Sequence, residues 1–200
     1  MLKIEHLNKK FGKKEVLKDV SLTLSPGERI HIIGKNGSGK STIFKIITGI
    51  LKQNGGTVEI GTDDVIGALI ENPSFLEYES GLENLKFLAE LNHNYDEKLV
   101  KDLMEEFSLD SEDSQSVSRY SIGMRQKLGI IQAIMENQNI VLLDEPTRGI
   151  DKEGIETFVK ILGQLKEQKR AVIIASHDDI PNLVYDRELK LKDGVLVEEK

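Results

Sequence analysis

Gly34-Lys35-Asn36-Gly37-Ser38-Gly39-Lys40-Ser41-Thr42 stands between a short apolar run, Ile30-His31-Ile32-Ile33, and a segment from Thr42 to Ile50 in which Ile43, Phe44, Ile46, Ile47 and Ile50 recur at helical spacing. The stretch therefore reads as the turn from a strand into a helix. Three glycines let the backbone curl closely around an anion, and a helix N-terminus offers free N–H groups to it. Lys40 places a compact cation where the β- and γ-phosphates of a nucleotide would lie, and the Ser41 hydroxyl is suited to Mg²⁺. A plain Gly/Ser-rich turn would not need the strand, the spacing, the Lys-Ser pair and the helix to agree.

Outward from that loop, the chain has 200 residues, enough for one sizeable core. The expectation is a single domain, 1–200. Its net charge of −7 gives no general attraction to nucleic acid or anionic lipid. Without cysteine there is no disulfide frame, thiolate chemistry or cysteine zinc site. The first residues, Met1-Leu2-Lys3-Ile4-Glu5-His6, lack the apolar core of a secretion signal, and no run approaches the roughly 18 residues of a membrane span. Work at a membrane would require binding to something already embedded there.

Residues 1–33 read as antiparallel strands, with Leu2, Ile4 and His6 alternating, and Val20, Leu22 and Leu24 alternating before the Ser25-Pro26-Gly27-Glu28 turn. Phe11, in a polar looped stretch, either covers a sheet edge or offers a flat face to adenine. Asn54-Gly55-Gly56 reads as a turn, Thr57–Ile60 as a strand, and Val65–Ile70 as a buried strand ending at Glu71-Asn72-Pro73. Glu71 thus stands at a strand terminus, where α/β proteins place ligand groups.

From about 80 to 137 the period becomes 3.6, through Leu82, Leu85, Leu88 and Ala89, then Leu99, Leu103 and Phe107, then Leu128, Ile131, Ile134 and Met135. The polar stretch Leu109–Ser118 reads as a surface link. Ser121, in Tyr120-Ser121-Ile122-Gly123-Met124, is placed to cap the third helix, whose N-terminus could hold a phosphate. Ile140-Val141-Leu142-Leu143 then runs into Asp144-Glu145, two carboxylates costly to bury without a cation. Asp144 suits Mg²⁺, and Glu145 suits polarising a water. Ala171–Ala175 is another buried strand, ending at Ser176-His177-Asp178, and Asp193-Gly194 marks a hairpin.

Taken in order, Phe11, Gly34–Thr42, Glu71, Ser121-x-Gly123, Asp144-Glu145-Pro146, Gly149-Ile150-Asp151 and His177 resemble the nucleotide-binding domain of an ATP-binding-cassette (ABC) ATPase along essentially the whole chain. The spacing carries the resemblance as much as the motifs do, with about 80 residues from Lys40 to Ser121, 23 from Ser121 to Asp144 and 33 from Asp144 to His177. It implies an α/β P-loop NTPase fold, a RecA-like mixed-sheet core with an N-terminal antiparallel β layer and an inserted α-helical subdomain. The catalytic core would be 1–79 and 138–200, and the helical subdomain 80–137. The implied cofactors are ATP and Mg²⁺. Phe11 would stack adenine, and Gly34, Lys35, Asn36, Gly37, Ser38, Gly39, Lys40, Ser41 and Thr42 would form the Walker A loop. Ser41, Asp144 and Glu71 would serve the metal, Glu145 would be the general base, His177 the switch histidine and Asp151 a residue of the dimer seam. Ser121 and Gly123 would meet the γ-phosphate held by another subunit, so a head-to-tail homodimer or heterodimer is implied.

This sequence departs from the family's usual Leu-Ser-Gly-Gly-Gln signature, keeping Ser121 and Gly123 but losing the glutamine, and it has Glu71 where a glutamine is usual. The Ile70-Glu71-Asn72-Pro73 context looks like the subgroup that exports lantibiotics, bacitracin and similar peptides. The expected function is the ATP-hydrolysing subunit of a transporter, cytoplasmic and peripheral on the inner face of the cell membrane, coupled to a separate integral-membrane permease and not to nucleic acid. A soluble ABC ATPase such as an iron–sulfur assembly factor is the alternative. A P-loop GTPase or small-molecule kinase fits poorly, because the Asn-Lys-x-Asp guanine motif is missing. No added regulatory domain is expected after the hairpin.

Overall fold

The computed structural model describes residues 1–199. The strands are β1 (Leu2–Phe11), β2 (Lys14–Leu24), β3 (Arg29–Ile33), β4 (Gly55–Ile60), β5 (Ile66–Leu69), β6 (Ile140–Asp144), β7 (Ala171–Ser176), β8 (Arg187–Lys192) and β9 (Val195–Glu198). The helices are α1 (Lys40–Ile47), α2 (Gly81–Leu91), α3 (Glu97–Glu106), α4 (Ile122–Ile134) and α5 (Lys152–Glu167), with a short 3-10 turn at Val117–Arg119.

Two sheets face each other. The smaller has the order β2-β1-β4 and is antiparallel, and the larger has the order β5-β6-β7-β3-β8-β9, parallel except for the final β8–β9 hairpin. Composition explains the difference. β6 and β7 are buried at every position and read as unbroken apolar runs, as strands covered on both faces must. β2 alternates toward its end, with Val20, Leu22 and Leu24 inward and Ser21 and Thr23 outward, as a strand with one wet face does.

Residues 1–33 do not all belong to the antiparallel layer. β3 pairs in parallel with β7 and β8 in the main sheet, because Arg29–Ile33 has no outward polar positions to show to water. The alternation also fails at His6, which is exposed with φ of 52° while Leu7 takes the buried place. A register shift between Ile4 and Leu7 accommodates the extra residue. Gly55 and Gly56 are part of β4 rather than a turn before it. At Gly56, φ is 84° and a Cβ would overlap the His6 carbonyl. Likewise, α1 does not reach Ile50, because Gly49 at φ 75° ends the helix and leaves Ile50 exposed.

One apolar core fills the space between the sheets around α1, joining Leu2, Leu22, Ile32 and Phe44. A second covers the other face of the main sheet and is continuous from Leu85, Met104 and Ile131 of the helical segment to Leu143 and Phe158. The consequence for function is that the ends of β3, β6 and β7 are held between two packed layers, with their C-terminal ends on one side of the molecule.

Candidate nucleotide site

Helix capping singles out one helix. α2, α3, α4 and α5 each begin at a side-chain cap, where Ser80, Asp96, Ser121 and Asp151 accept from the N–H three residues on. α1 begins at Gly39, φ 114°, with no side-chain cap. Its first N–H groups are therefore left for an external anion, at the positive end of the helix dipole. Gly39 is also sterically required, since Leu17, Val16 and the Val16 carbonyl lie 3.0–3.3 Å from where a Cβ would stand.

In front of that helix lies a cleft of about 520 Å³ lined by Phe11, Lys40, Ser41, Glu71, Asp144 and Glu145, among others. Lys40 is nearly buried, and its ammonium donates to the Gly34 carbonyl at 2.5 Å, so it is held across the loop rather than swinging in solvent. Asp144, 3% exposed at the end of β6, lines the cleft together with Ser41 and Glu71. Burial pushes its carboxyl above the ordinary carboxylate range, helped by the neighbouring Glu145 charge. A buried carboxylate and a serine hydroxyl lining one cleft beside a phosphate loop offer oxygen donors that fit Mg²⁺. Ser41 and Asp144 would hold that ion.

Glu145 follows at φ 47°, a conformation that non-glycine residues rarely adopt, fixed by its N–H to the Ala175 carbonyl (2.8 Å) and by Gln126 Nε2 on its own carbonyl (3.0 Å). The turn aims its side chain back at the loop. Oε1 lies 3.3 Å from Lys40 Nζ, an ion pair without hydrogen-bond geometry, and Oε2 lies 2.9 Å from His177 Nδ1. His177 stands on a second cleft that shares Asn36, Glu145 and Arg148 with the first.

Phe11 is 47% exposed at the mouth, beside Val16, with Lys9 Nζ 4.9 Å above its ring. Glu71, φ 58°, is on the rim and pairs with Lys45 at 2.5 Å. Lys35, Asn36, Gly37 and Thr42 line the cleft, and Gly34 and Ser38 pack behind it, with the Ser38 hydroxyl buried and unpartnered. Ser121 and Gly123 are not brought to this cleft. Ser121 caps α4, and Gly123 abuts the carbonyl of Gly149 in the strip leading to Asp151, whose carboxylate holds Lys127 at 3.1 Å. The sequence reading missed Gln126, Val16 and Arg148. Val16 carries a weak local signal, lying two residues beyond Lys14, the partner of Phe11 across the hairpin, whereas Gln126 and Arg148 reach the site only through tertiary packing.

The family model described as "ABC transporter" matches residues 17–148. This chain belongs to the ABC transporter family. The ABC transporter ATP-binding protein YdbJ of Bacillus subtilis is 40% identical over 188 residues, covering 88% of this chain and 61% of that protein. This cassette thus spans less than two thirds of that relative. The lantibiotic transport ATP-binding protein SrtF of Streptococcus pyogenes is 33% identical, covering 88% of the cassette and 80% of its own length. Among solved structures, the dimeric post-hydrolysis state of the ATP-binding cassette MJ0796 bound to ADP and Pi matches with a TM-score of 0.87 and 26% identity, over 100% of this chain and 98% of that one. The expected α/β P-loop fold and the assignment to the ABC ATPases therefore hold for this cassette.

Proposed function

We propose that two such cassettes close head-to-tail over two Mg·ATP and that hydrolysis there drives a separate membrane permease. The observation that carries the reading is the meeting of Lys40, Asp144, Glu145 and His177, from the ends of β3, β6 and β7, at one uncapped helix start. Within it, the α1 N–H groups and Lys40 bind the phosphates, and Phe11 stacks adenine. Ser41 and Asp144 would hold Mg²⁺, which would supply charge neutralisation to the phosphates. Glu145 accepts a proton from water as its oxygen attacks the γ-phosphorus. The bond from the γ-phosphorus to the β–γ bridging oxygen breaks, and that oxygen leaves with ADP. His177 keeps Glu145 aimed and can donate to the γ-oxygens. Glu71, tethered to Lys45, sits where it could answer a permease without blocking the metal.

No helix among the described residues is long and apolar enough to cross a membrane. Leu76, Tyr78, Phe87 and Leu91, however, leave apolar side chains exposed around the helical segment, with Tyr78 at 92%. These support docking to an apolar partner, the permease, at the inner face of the membrane. The likeness to a lantibiotic transport protein, together with Glu71, favours export of a peptide antibiotic over iron–sulfur assembly. The chemistry is tested by Glu145→Gln, which should bind ATP yet lose at least about 100-fold of the hydrolysis rate. Undiminished turnover removes Glu145 from its role. A membrane pull-down that returns an integral-membrane protein supports the coupling, and one that returns only soluble partners favours the iron–sulfur alternative.

A further inference from the structure

Behind the nucleotide cleft, on the face of β3 turned toward the segment after β7, the His31 imidazole is fully buried and stacked on Tyr185 with ring centroids 4.4 Å apart. Its Nε2 lies 2.6 Å from Ser176 Oγ, and that hydroxyl donates its one proton to the Asp178 carbonyl at 2.7 Å. Ser176 Oγ must therefore accept from His31, so the ring hydrogen is on Nε2. This leaves Nδ1 as a bare lone pair, buried and without a hydrogen-bond partner.

That lone pair faces carboxylates. Asp179 Oδ1 is 3.7 Å from Nδ1, and Glu188, opposite His31 in the β3–β8 register, brings a second oxygen, so that one atom from each residue lies within 4.8 Å of the others. Three acceptor atoms that converge in this way repel unless a cation joins them.

We propose that His31 Nδ1, Asp179 and Glu188 bind a divalent transition-metal ion of the Zn²⁺ class, distinct from the Mg²⁺ of the nucleotide. An imidazole nitrogen with two carboxylates suits Zn²⁺ better than Mg²⁺, which demands six oxygens. Tetrahedral bonds of about 2.0–2.2 Å put neighbouring ligand atoms about 3.4 Å apart. The His31–Asp179 separation is already close to this, and exposed Asp179 is free to move in. Ser176, holding the opposite ring nitrogen, is the outer partner that fixes tautomer and ring orientation. The ion would clamp β3 and β8 to the segment that follows His177.

The test is equilibrium dialysis of the nucleotide-free full chain against Zn²⁺ with millimolar Mg²⁺ present. One equivalent should bind. Asp179→Asn and Glu188→Gln should each weaken binding by at least about tenfold, and Zn²⁺ should raise the Tm of the unmodified chain but not of these variants. Asp178→Asn, which removes the carboxylate 2.9 Å from His177 Nε2, should leave Zn²⁺ affinity unchanged. The histidine ¹⁵N spectrum should show metal-induced change at His31 Nδ1. Failure to bind a stoichiometric equivalent at tenfold molar excess overturns the proposal. So does binding that survives both carboxylate variants, or that is lost with Asp178→Asn, which would move the metal to His177.

Discussion

Asp144 and Glu145 are neighbours with opposite circumstances, and the backbone makes the difference. Asp144 ends a buried strand and stays inside it. Glu145, turned to φ 47°, leaves the strand direction and meets Lys40 and His177. The raised pKa of Asp144 has a definite sign in stability. A carboxyl harder to ionise in the folded state than in the unfolded one costs nothing at pH values below its unfolded pKa. The cost then grows as pH rises toward the folded value and is complete above it. At pH 7, without nucleotide, Asp144→Asn should therefore raise Tm, by roughly 2–4 °C for each kcal/mol relieved, while abolishing the further rise that Mg·ATP gives the unmodified chain. Thermal scans at pH 7 with and without Mg·ATP decide it, and a lower apo Tm for the variant would count against this account. Lys40 behaves differently, because it touches the loop carbonyl as well as the site. Lys40→Ala should weaken ATP binding by at least about tenfold, measured by calorimetry.

Among elements, the start of α4 and the strip Gly149–Asp151 meet backbone against backbone. A Cβ at Gly123 would overlap the Gly149 carbonyl, and neither backbone can retreat, since α4 is fixed by its Ser121 cap and α5 by its Asp151 cap. Gly123→Ala should cost about 1–3 kcal/mol as an overpacking defect, whereas Ser121→Ala should cost about 1 kcal/mol as a lost cap. Urea unfolding of both variants checks the ranking. At this scale much was legible in the sequence. The phosphate loop, β6 with its two carboxylates, the three middle helices and the Asp193-Gly194 turn, with φ of 52° and 84°, all follow from local pattern. The misplaced features are those set by partners far along the chain. β3 looks locally like any short strand, and only its pairing with β7 and β8 moves it from one sheet to the other. His6 leaves the alternation because β1 bulges against β2 and β4. Gln126 and Arg148 reach the cleft by packing alone, which no spacing announces.

At the scale of the whole molecule, the cleft and the Ser121–Gly123 motif do not meet within one chain. The cleft opens at Lys40, Asp144 and Glu145, while Ser121 caps α4 away from its lining. The proposed two-fold closure would bring the motif of each copy to the cleft of the other, so that each composite site would take Lys40 from one chain and Ser121 from its partner. A complementation experiment follows from that arithmetic. Homodimers of Lys40→Ala have no intact site, and neither do homodimers of Ser121→Arg, whose bulk and charge would disrupt the motif. In a mixed dimer, one site collects both lesions and the other collects none. An equimolar mixture in which half the dimers are mixed should therefore recover ATPase activity above either parent, up to roughly a quarter of the unmodified rate if the two sites act independently. Sites built within single chains would give no recovery on mixing, because every chain in the mixture carries a lesion. The same preparation, run on a sizing column with ATP in the Glu145→Gln background, should show the doubled mass that composite sites require, and a monomer under those conditions would contradict head-to-tail closure.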